Sequence, residues 1–117
     1  MAWKCVADGS ASEDMRKDHK TAKHIERYAI SEQAIYFEGK YLPLSRIQSV
    51  RVQPSSYFPA HSCGKGLPVF KIRIEYGGEK PEVLMFEKES NAEKAVSLIL
   101  SANPGAVREE YVDPVNL

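Results

Sequence analysis

One change of hydrophobic rhythm, between residues 68 and 102, constrains the fold of this chain more than any other feature. In the first half, apolar and charged residues alternate, which is the period expected of a strand with one buried face. The apolar positions are Phe70, Ile72, Ile74 and Tyr76. Gly77 and Gly78 permit the positive φ angles of a tight reversal. Residues 83–86 are therefore expected to return as an antiparallel strand.

After Ser90 the apolar spacing changes to three and four, which predicts an amphipathic helix. The apolar stripe consists of Ala92, Ala95, Val96, Ile99 and Ala102. Ser90 with Glu93 matches the Ser-x-x-Glu capping box, and Asn103 followed by Pro104 predicts the end of the helix. Because neither the apolar stripe of the helix nor the apolar face of the strands can be shielded from water alone, we expect the helix to pack on the sheet and to form one core with it.

Length and charge exclude several classes of protein. A chain of 117 residues suits one domain, and 16 basic against 16 acidic residues give a formal net charge of zero. Nucleic acid is therefore not an expected partner. No apolar run approaches the ~20 residues of a membrane span, and the first ten residues lack the apolar core of a secretory signal, so we predict a soluble cytoplasmic protein.

The chain is expected to divide into a polar N-terminal arm (1–23), a domain (24–103) and a tail (104–117). The arm is predicted to be frayed or a loose helix, since it has few apolar residues. In the domain, residues 25–30 and 34–37 predict a hairpin with Tyr28, Ile30, Ile35 and Phe37 facing inward. Further along, Pro43 predicts the edge or end of a strand, and residues 44–47 predict one helical turn. Residues 50–54 predict a fourth strand, and residues 54–67 predict a long loop.

Six or seven short antiparallel strands, the one-turn crossing and the final helix together resemble the pleckstrin-homology-like (PH-like) fold, especially its small bacterial members. The resemblance covers residues 25–103, and its most family-like phrase runs from Gly39 to Ile47. It implies a mainly β fold, in which a bent antiparallel sheet forms a partly open barrel and residues 90–102 close one end. It also implies a binding module rather than an enzyme, with no cofactor.

The resemblance leaves two kinds of partner to consider. Lipid-binding members hold inositol phosphates with basic residues around the first hairpin, whereas here that turn is Ser31-Glu32-Gln33. Other members bind peptides or copies of themselves through sheet edges and helix grooves. We therefore expect a protein partner or a second copy, bound through an open sheet edge and the loop 54–67.

Positive charge is concentrated in the N-terminal arm and just after it, and the binding candidates there are Lys17, Lys20, Lys23 and Arg27. Such a segment can attract an anionic lipid head group or another phosphate, with an affinity that falls at raised salt. Acidic neighbours such as Asp18 and Glu26 favour the alternative of an ordinary solvated surface.

Three aromatic residues are candidates for protein contact. Tyr36 is expected to be exposed if Ile35 and Phe37 point inward, and Tyr57 with Phe58 stands out in a polar segment. The alternative is packing at the edge of the core. The tail from Tyr111 onward either adds a strand to a neighbouring sheet edge or is disordered.

Cysteine and histidine chemistry has little support in the sequence. Cys5 and Cys63 lie far apart without a C-x-x-C spacing, and they are expected to be reduced thiols. His61 and Cys63 are close enough for a nucleophile with its base or for half a metal site, but no orienting residue or further ligands accompany them. We therefore predict no catalytic residue and no metal ligand.

Overall fold

Ten strands and two α-helices make up the part of the chain that the computed structural model describes. This part comprises residues 3–6, 11–12, 15–57, 66–78 and 80–111, with the backbone alone at 3, 11–12, 15–17 and 57. Strands β1 to β6 are Trp3–Cys5, Ala11–Ser12, Lys23–Ile25, Tyr28–Ile30, Ala34–Phe37 and Lys40–Pro43. Strands β7 to β10 are Ser49–Tyr57, Leu67–Glu75, Glu82–Phe86 and Val107–Glu109. The helices are α1 (Met15–Thr21) and α2 (Glu89–Ala102), with a 3-10 turn at Leu44–Arg46.

The first sheet has six strands in the order β2-β1-β6-β5-β4-β3, and all pairs except β1 with β6 are antiparallel. Two-residue turns connect β3 to β4 and β5 to β6, with Glu26 at φ 55° and Glu38 at φ 50°. The expectation of one strand over residues 25–30 is therefore wrong. Glu26 adopts the left-handed conformation that usually marks glycine or asparagine, so the sequence carried no turn signal there.

The second sheet has four strands in the order β10-β7-β8-β9. Its centre confirms the predicted alternation, since Ile72 and Ile74 are fully buried. The expected end of β7 at Pro54 is wrong, because the strand continues to Tyr57 in register with β8. Strand β10 pairs with β7 only as far as Arg51. Among the described residues, no strand pairs with that side of β7 at Pro54, and such an edge position tolerates a proline.

One hydrophobic core joins both sheets and α2. Helix α2 packs against β7, β8, β9 and the 3-10 turn, and its buried residues are Ala92, Ala95, Val96 and Ile99. Each large apolar side chain in this core contributes roughly 1.5–3 kcal/mol relative to an exposed one. The predictions of a mainly β fold and of α2 sealing the sheets are confirmed, while the described strands form two sheets rather than one closed barrel.

A second, smaller cluster lies on the other face of the first sheet and contains Tyr36 with Cys5, Ala29, Ala34 and Tyr41. Tyr36 is 1% exposed, so its expected exposure is wrong. The reason is that α1 covers this face, with the His19 ring 4.9 Å from the Tyr36 ring. Residues 15–21 of the polar arm thus form a helix that lies against the sheet.

The six-stranded sheet contains strands from both sides of residue 23, because β1 pairs with β6. Similarly, part of the tail pairs with the chain's own β7 as strand β10. The division of the chain at residues 23 and 103 stays a prediction.

Candidate functional site

In the described part of the chain, β3 forms one edge of the first sheet. Ile25 and Tyr28 flank the two-residue turn, so they form the hydrogen-bonded pair next to it. Pairs alternate along an antiparallel ladder, which makes His24 and Ala29 a non-hydrogen-bonded pair. The N–H and C=O of His24 therefore point away from β4, and no strand among the described residues pairs with that side.

A groove runs between this edge and α2. Its wider part has a volume of about 570 Å³, and its lining includes Lys23 and Ile30 on the sheet side with Leu98 and Ser101 on the helix side. A neighbouring part of about 470 Å³ shares Lys23 and Leu98 and extends along the helix; its lining is completed by Ile25, Ser90, Glu93, Lys94 and Ser97. The part next to Ile25 thus has a mainly apolar floor, whereas the wider part is also lined by the polar side chains of Thr21, Ser31 and Glu32.

Charge along the groove is uneven. The side chains of Lys23 and Lys94 are exposed, and neither has a carboxylate within ion-pair distance among the described residues. Glu93 is occupied, since Arg108 donates two hydrogen bonds of 2.7 Å to its carboxylate. Those hydrogen bonds hold the pKa of Glu93 below its ordinary value despite partial burial. Lys23 and Lys94 therefore bring two positive charges to the groove, while Glu32 brings a negative charge to its wider part.

The carboxylate of Glu26 fixes the start of α2 beside the groove. It accepts hydrogen bonds from the backbone N–H groups of Glu87 (2.7 Å) and Lys88 (3.2 Å) and from Nδ2 of Asn91 (3.0 Å). Burial raises the pKa of Glu26, but these hydrogen bonds outweigh it and the pKa lies below its ordinary value. The predicted capping box of Ser90 is wrong, because the helix begins at Glu89 with no side-chain cap from its own N-cap residue.

Asn103 fixes the other end of α2. Its Nδ2 donates to the carbonyl oxygens of Leu44 (2.8 Å) and Ile47 (3.0 Å), and its Oδ1 accepts from the N–H of Gly105. The predicted end of the helix at Asn103 is confirmed. Both ends of the helix are thus tied to other elements, so the helix wall of the groove is held in place.

A carboxylate of α1 binds the opposite face of the first sheet, at β5 and at the turn between β4 and β5. Asp18 accepts hydrogen bonds from the hydroxyl groups of Tyr36 and Ser31. Burial and the adjacent Asp18 charge raise the pKa of Tyr36, so its hydroxyl stays protonated and donates. The His24 ring meets the His19 ring edge-on at 5.9 Å, which places α1 next to the outer face of β3.

The basic candidates do not converge on one site in the described residues. Lys20 on α1 and Lys23 on β3 are exposed, and Lys23 lines the groove. Arg27 lies in the turn at the far end of the β3–β4 hairpin, in a separate cavity of about 390 Å³ with Leu67 and Met85. Only the backbone of Lys17 is described. A binding role for these four residues stays a prediction.

The other candidates fall partly outside the described residues. Tyr57 ends β7 and only its backbone is described, while Phe58, His61 and Cys63 lie outside the described residues. Cys5 is buried as a free thiol. Within the described parts of the chain, no three metal-ligating side chains come together, and neither α-helix is long and apolar enough to cross a membrane.

Sequence reasoning missed the groove, because the hairpin that creates the free edge was not recognised. One signal was present in α2, where Leu98 falls outside the stripe of core residues and is half-buried. Leu98 lies among exposed serines, so α2 has an apolar position outside its core stripe. Its partial burial is what is expected of a helix face that lines a groove.

No family model, no curated protein and no solved structure matches this chain.

Proposed function

We propose that this protein is a non-enzymatic binding module that takes up an extended segment of another protein as an added strand at the β3 edge. One observation carries this proposal: the N–H and C=O of His24 point to an edge that no described strand pairs with and that is bordered by the groove along α2. Main-chain hydrogen bonds to such an edge supply affinity, and the neighbouring groove selects side chains.

The order of the elements also supports a PH-like arrangement, which we include in the proposal. Strands β3 to β6 follow one another as antiparallel neighbours, the 3-10 turn crosses to the second sheet, and β7 to β9 again follow as antiparallel neighbours before α2. In the PH-like fold the terminal helix packs against the curled strands, and the packing of α2 against β7, β8 and β9 is consistent with this.

A library of extended twelve-residue peptides displayed on phage, selected on the protein, tests the proposal with two variants of one residue. His24→Pro removes the single N–H that an added strand would use, at an edge position where no ladder hydrogen bond is lost. His24→Ala loses the same side chain but keeps the N–H. Circular dichroism and thermal melts establish that both variants fold.

We expect the selected peptides to bind the wild type and His24→Ala alike, and to bind His24→Pro at least tenfold more weakly. Selection of no peptide, or equal binding to both variants, would overturn the proposal. Light scattering at increasing protein concentration tests the case of a second copy. A dimer that His24→Pro dissociates and His24→Ala preserves would identify another copy of this chain as the partner.

A further inference from the structure

We infer that the segment bound at the β3 edge is anchored by a single apolar side chain, which packs on Ile25 and Leu98 at one end of the groove. The inference rests on the proposed function and names the chemistry that selects its partner. It follows from where the groove ends, from the register at β3 and from the residues that line each part of the groove.

A link between the sheet and the helix bounds the groove at this end. Glu26 directly follows Ile25, and its carboxylate accepts a hydrogen bond of 3.0 Å from Nδ2 of Asn91, which directly follows Ser90. Ile25 and Ser90 both line the smaller part of the groove, so the link lies next to that part. The wider part extends the other way along the helix to Ser101. We call the smaller part the closed end.

The register at β3 decides which residue of the partner reaches the closed end. Whichever way an added strand runs, the residues on either side of the one opposite His24 lie opposite Ile25 and opposite Lys23. Residues opposite one another share a face of the sheet, so both of these side chains point to the groove. The side chain opposite Ile25 therefore reaches the closed end in a parallel and in an antiparallel strand.

The floor of the closed end is mainly apolar. Ile25 and the half-buried Leu98 form it, while Ser90 and Ser97 on the helix add only small hydroxyl groups. Its volume of about 470 Å³ lies in the range of cavities that hold small ligands, so a large side chain has room. An apolar side chain placed there would remove its own surface and that of Leu98 from water, which is favourable.

The charged residues around the closed end do not require a charged partner. The carboxylate of Glu93 already accepts two hydrogen bonds from Arg108. The side chains of Lys23 and Lys94 are exposed, so their ammonium groups stay in water while their methylene stems border the apolar floor. An acidic side chain opposite Ile25 is the alternative, and the sequences of bound peptides separate the two.

The wider part of the groove does not favour one kind of side chain. Its lining next to the strand includes Thr21, Ser31 and Glu32, and Ile30, which also lines it, is buried. Hydroxyl groups and charges of both signs therefore face the partner residue opposite Lys23. We expect that residue to vary among bound segments.

Changes in the peptide test the anchor without altering the protein. Peptides selected on the wild type should share one apolar position, and replacing that residue by alanine should weaken binding about tenfold. Replacing the residues two positions away on either side should have little effect, because one of them lies opposite Lys23 and the other lies beyond the closed end.

Two serine variants of α2 test the same anchor from the protein side. Leu98→Ser should weaken binding of a selected peptide about threefold to tenfold, since it removes half of the apolar floor. Leu100→Ser is the matched control, because Leu100 is also a half-buried leucine of α2 at the margin of the core and lines neither part of the groove. Circular dichroism and thermal melts establish that both variants fold.

The possible results separate this inference from the proposed function. Peptides that depend on the His24 N–H but share no apolar position, or share an acidic one in its place, would overturn the inference and leave the proposed function intact. An effect of Leu98→Ser no larger than that of Leu100→Ser would overturn the inference as well. Peptides that bind His24→Pro as tightly as His24→Ala would overturn both.

Discussion

Replacing Glu26 by alanine removes the carboxylate that joins the β3–β4 turn to the start of α2. Two backbone N–H groups and the Asn91 side chain lose their acceptor in this variant. Loss of an N-cap acceptor costs about 0.5–2 kcal/mol, and an anion at a helix N-terminus contributes about 0.3–1 kcal/mol when exposed. Because Glu26 is exposed, we expect a total loss of about 1–2 kcal/mol, or about 4–8 °C in Tm.

Glu38→Ala is the matched control, because Glu38 occupies the corresponding turn between β5 and β6 at nearly the same φ. Among the described residues it forms one ion pair, with Lys40 at 4.0 Å, and because both side chains are exposed this pair contributes about 0–1 kcal/mol. Comparing the unfolding free energies of both variants in urea at pH 7 therefore separates the contribution of the cap from the cost of placing alanine at a positive φ. A loss for Glu26→Ala no larger than that for Glu38→Ala would refute the reasoning.

The cap also predicts a pH dependence with a definite sign. Hydrogen bonds hold the folded-state pKa of Glu26 below its ordinary value of 4.5. The stabilisation is therefore complete above about pH 5 and is lost as the pH falls through the lowered pKa. The difference in unfolding free energy between wild type and Glu26→Ala should shrink on acidification, and a difference that grew would contradict the account.

Three further predictions concern α2, the second cluster and the N-terminal arm. Asn103→Ala removes the donor to two carbonyl groups of the 3-10 turn and should cost about 1–3 kcal/mol in urea unfolding. Tyr36→Phe removes a buried hydroxyl from a carboxylate and should also cost about 1–3 kcal/mol; a loss below 0.5 kcal/mol, on the order of a surface substitution, would contradict it. Phosphate recognition by the arm predicts co-sedimentation with anionic vesicles at low salt that Lys17→Glu with Lys20→Glu abolishes, and equal behaviour would remove that alternative.

Local patterns predicted those parts of the fold that depend on near neighbours in the sequence. The alternation around Ile72 and Ile74 and the stripe of α2 from Ala92 to Ile99 were identified because one buried face sets one period, although Ala102 is exposed. The return of the chain as β9 was identified too, but β8 ends at Glu75 and β9 begins at Glu82, so the predicted tight reversal is wrong. The 3-10 turn was identified from two apolar residues three positions apart.

Contacts between distant residues were not predictable in this way. Glu26 lies 61 positions before the N–H of Glu87 that it caps, so no local motif connects the two residues. Tyr36 was expected to be exposed because an alternating strand normally has one wet face. Its burial depends on α1, a mostly polar helix whose Asp18 supplies the hydrogen bond that a buried tyrosine hydroxyl needs.

The sequence predicted the type of the candidate site but not its position. An open sheet edge was expected for a binding module of this architecture, but its location follows from the turn at Glu26, where a residue with low preference for positive φ reverses the chain. Lys23 was selected for its charge as part of a basic arm. Its position at the groove beside Lys94 follows from how α2 packs, which a single sequence does not reveal.

Amide hydrogen exchange along β3, followed by NMR in the free protein, tests the open edge most directly. We expect the His24 amide to exchange much faster than those of Lys23 and Ile25, whose N–H groups bond to β4. Adding a selected peptide should then slow the exchange of His24 alone among the three. A His24 amide as protected as its neighbours in dilute, peptide-free protein would show that the edge is covered and would contradict the account.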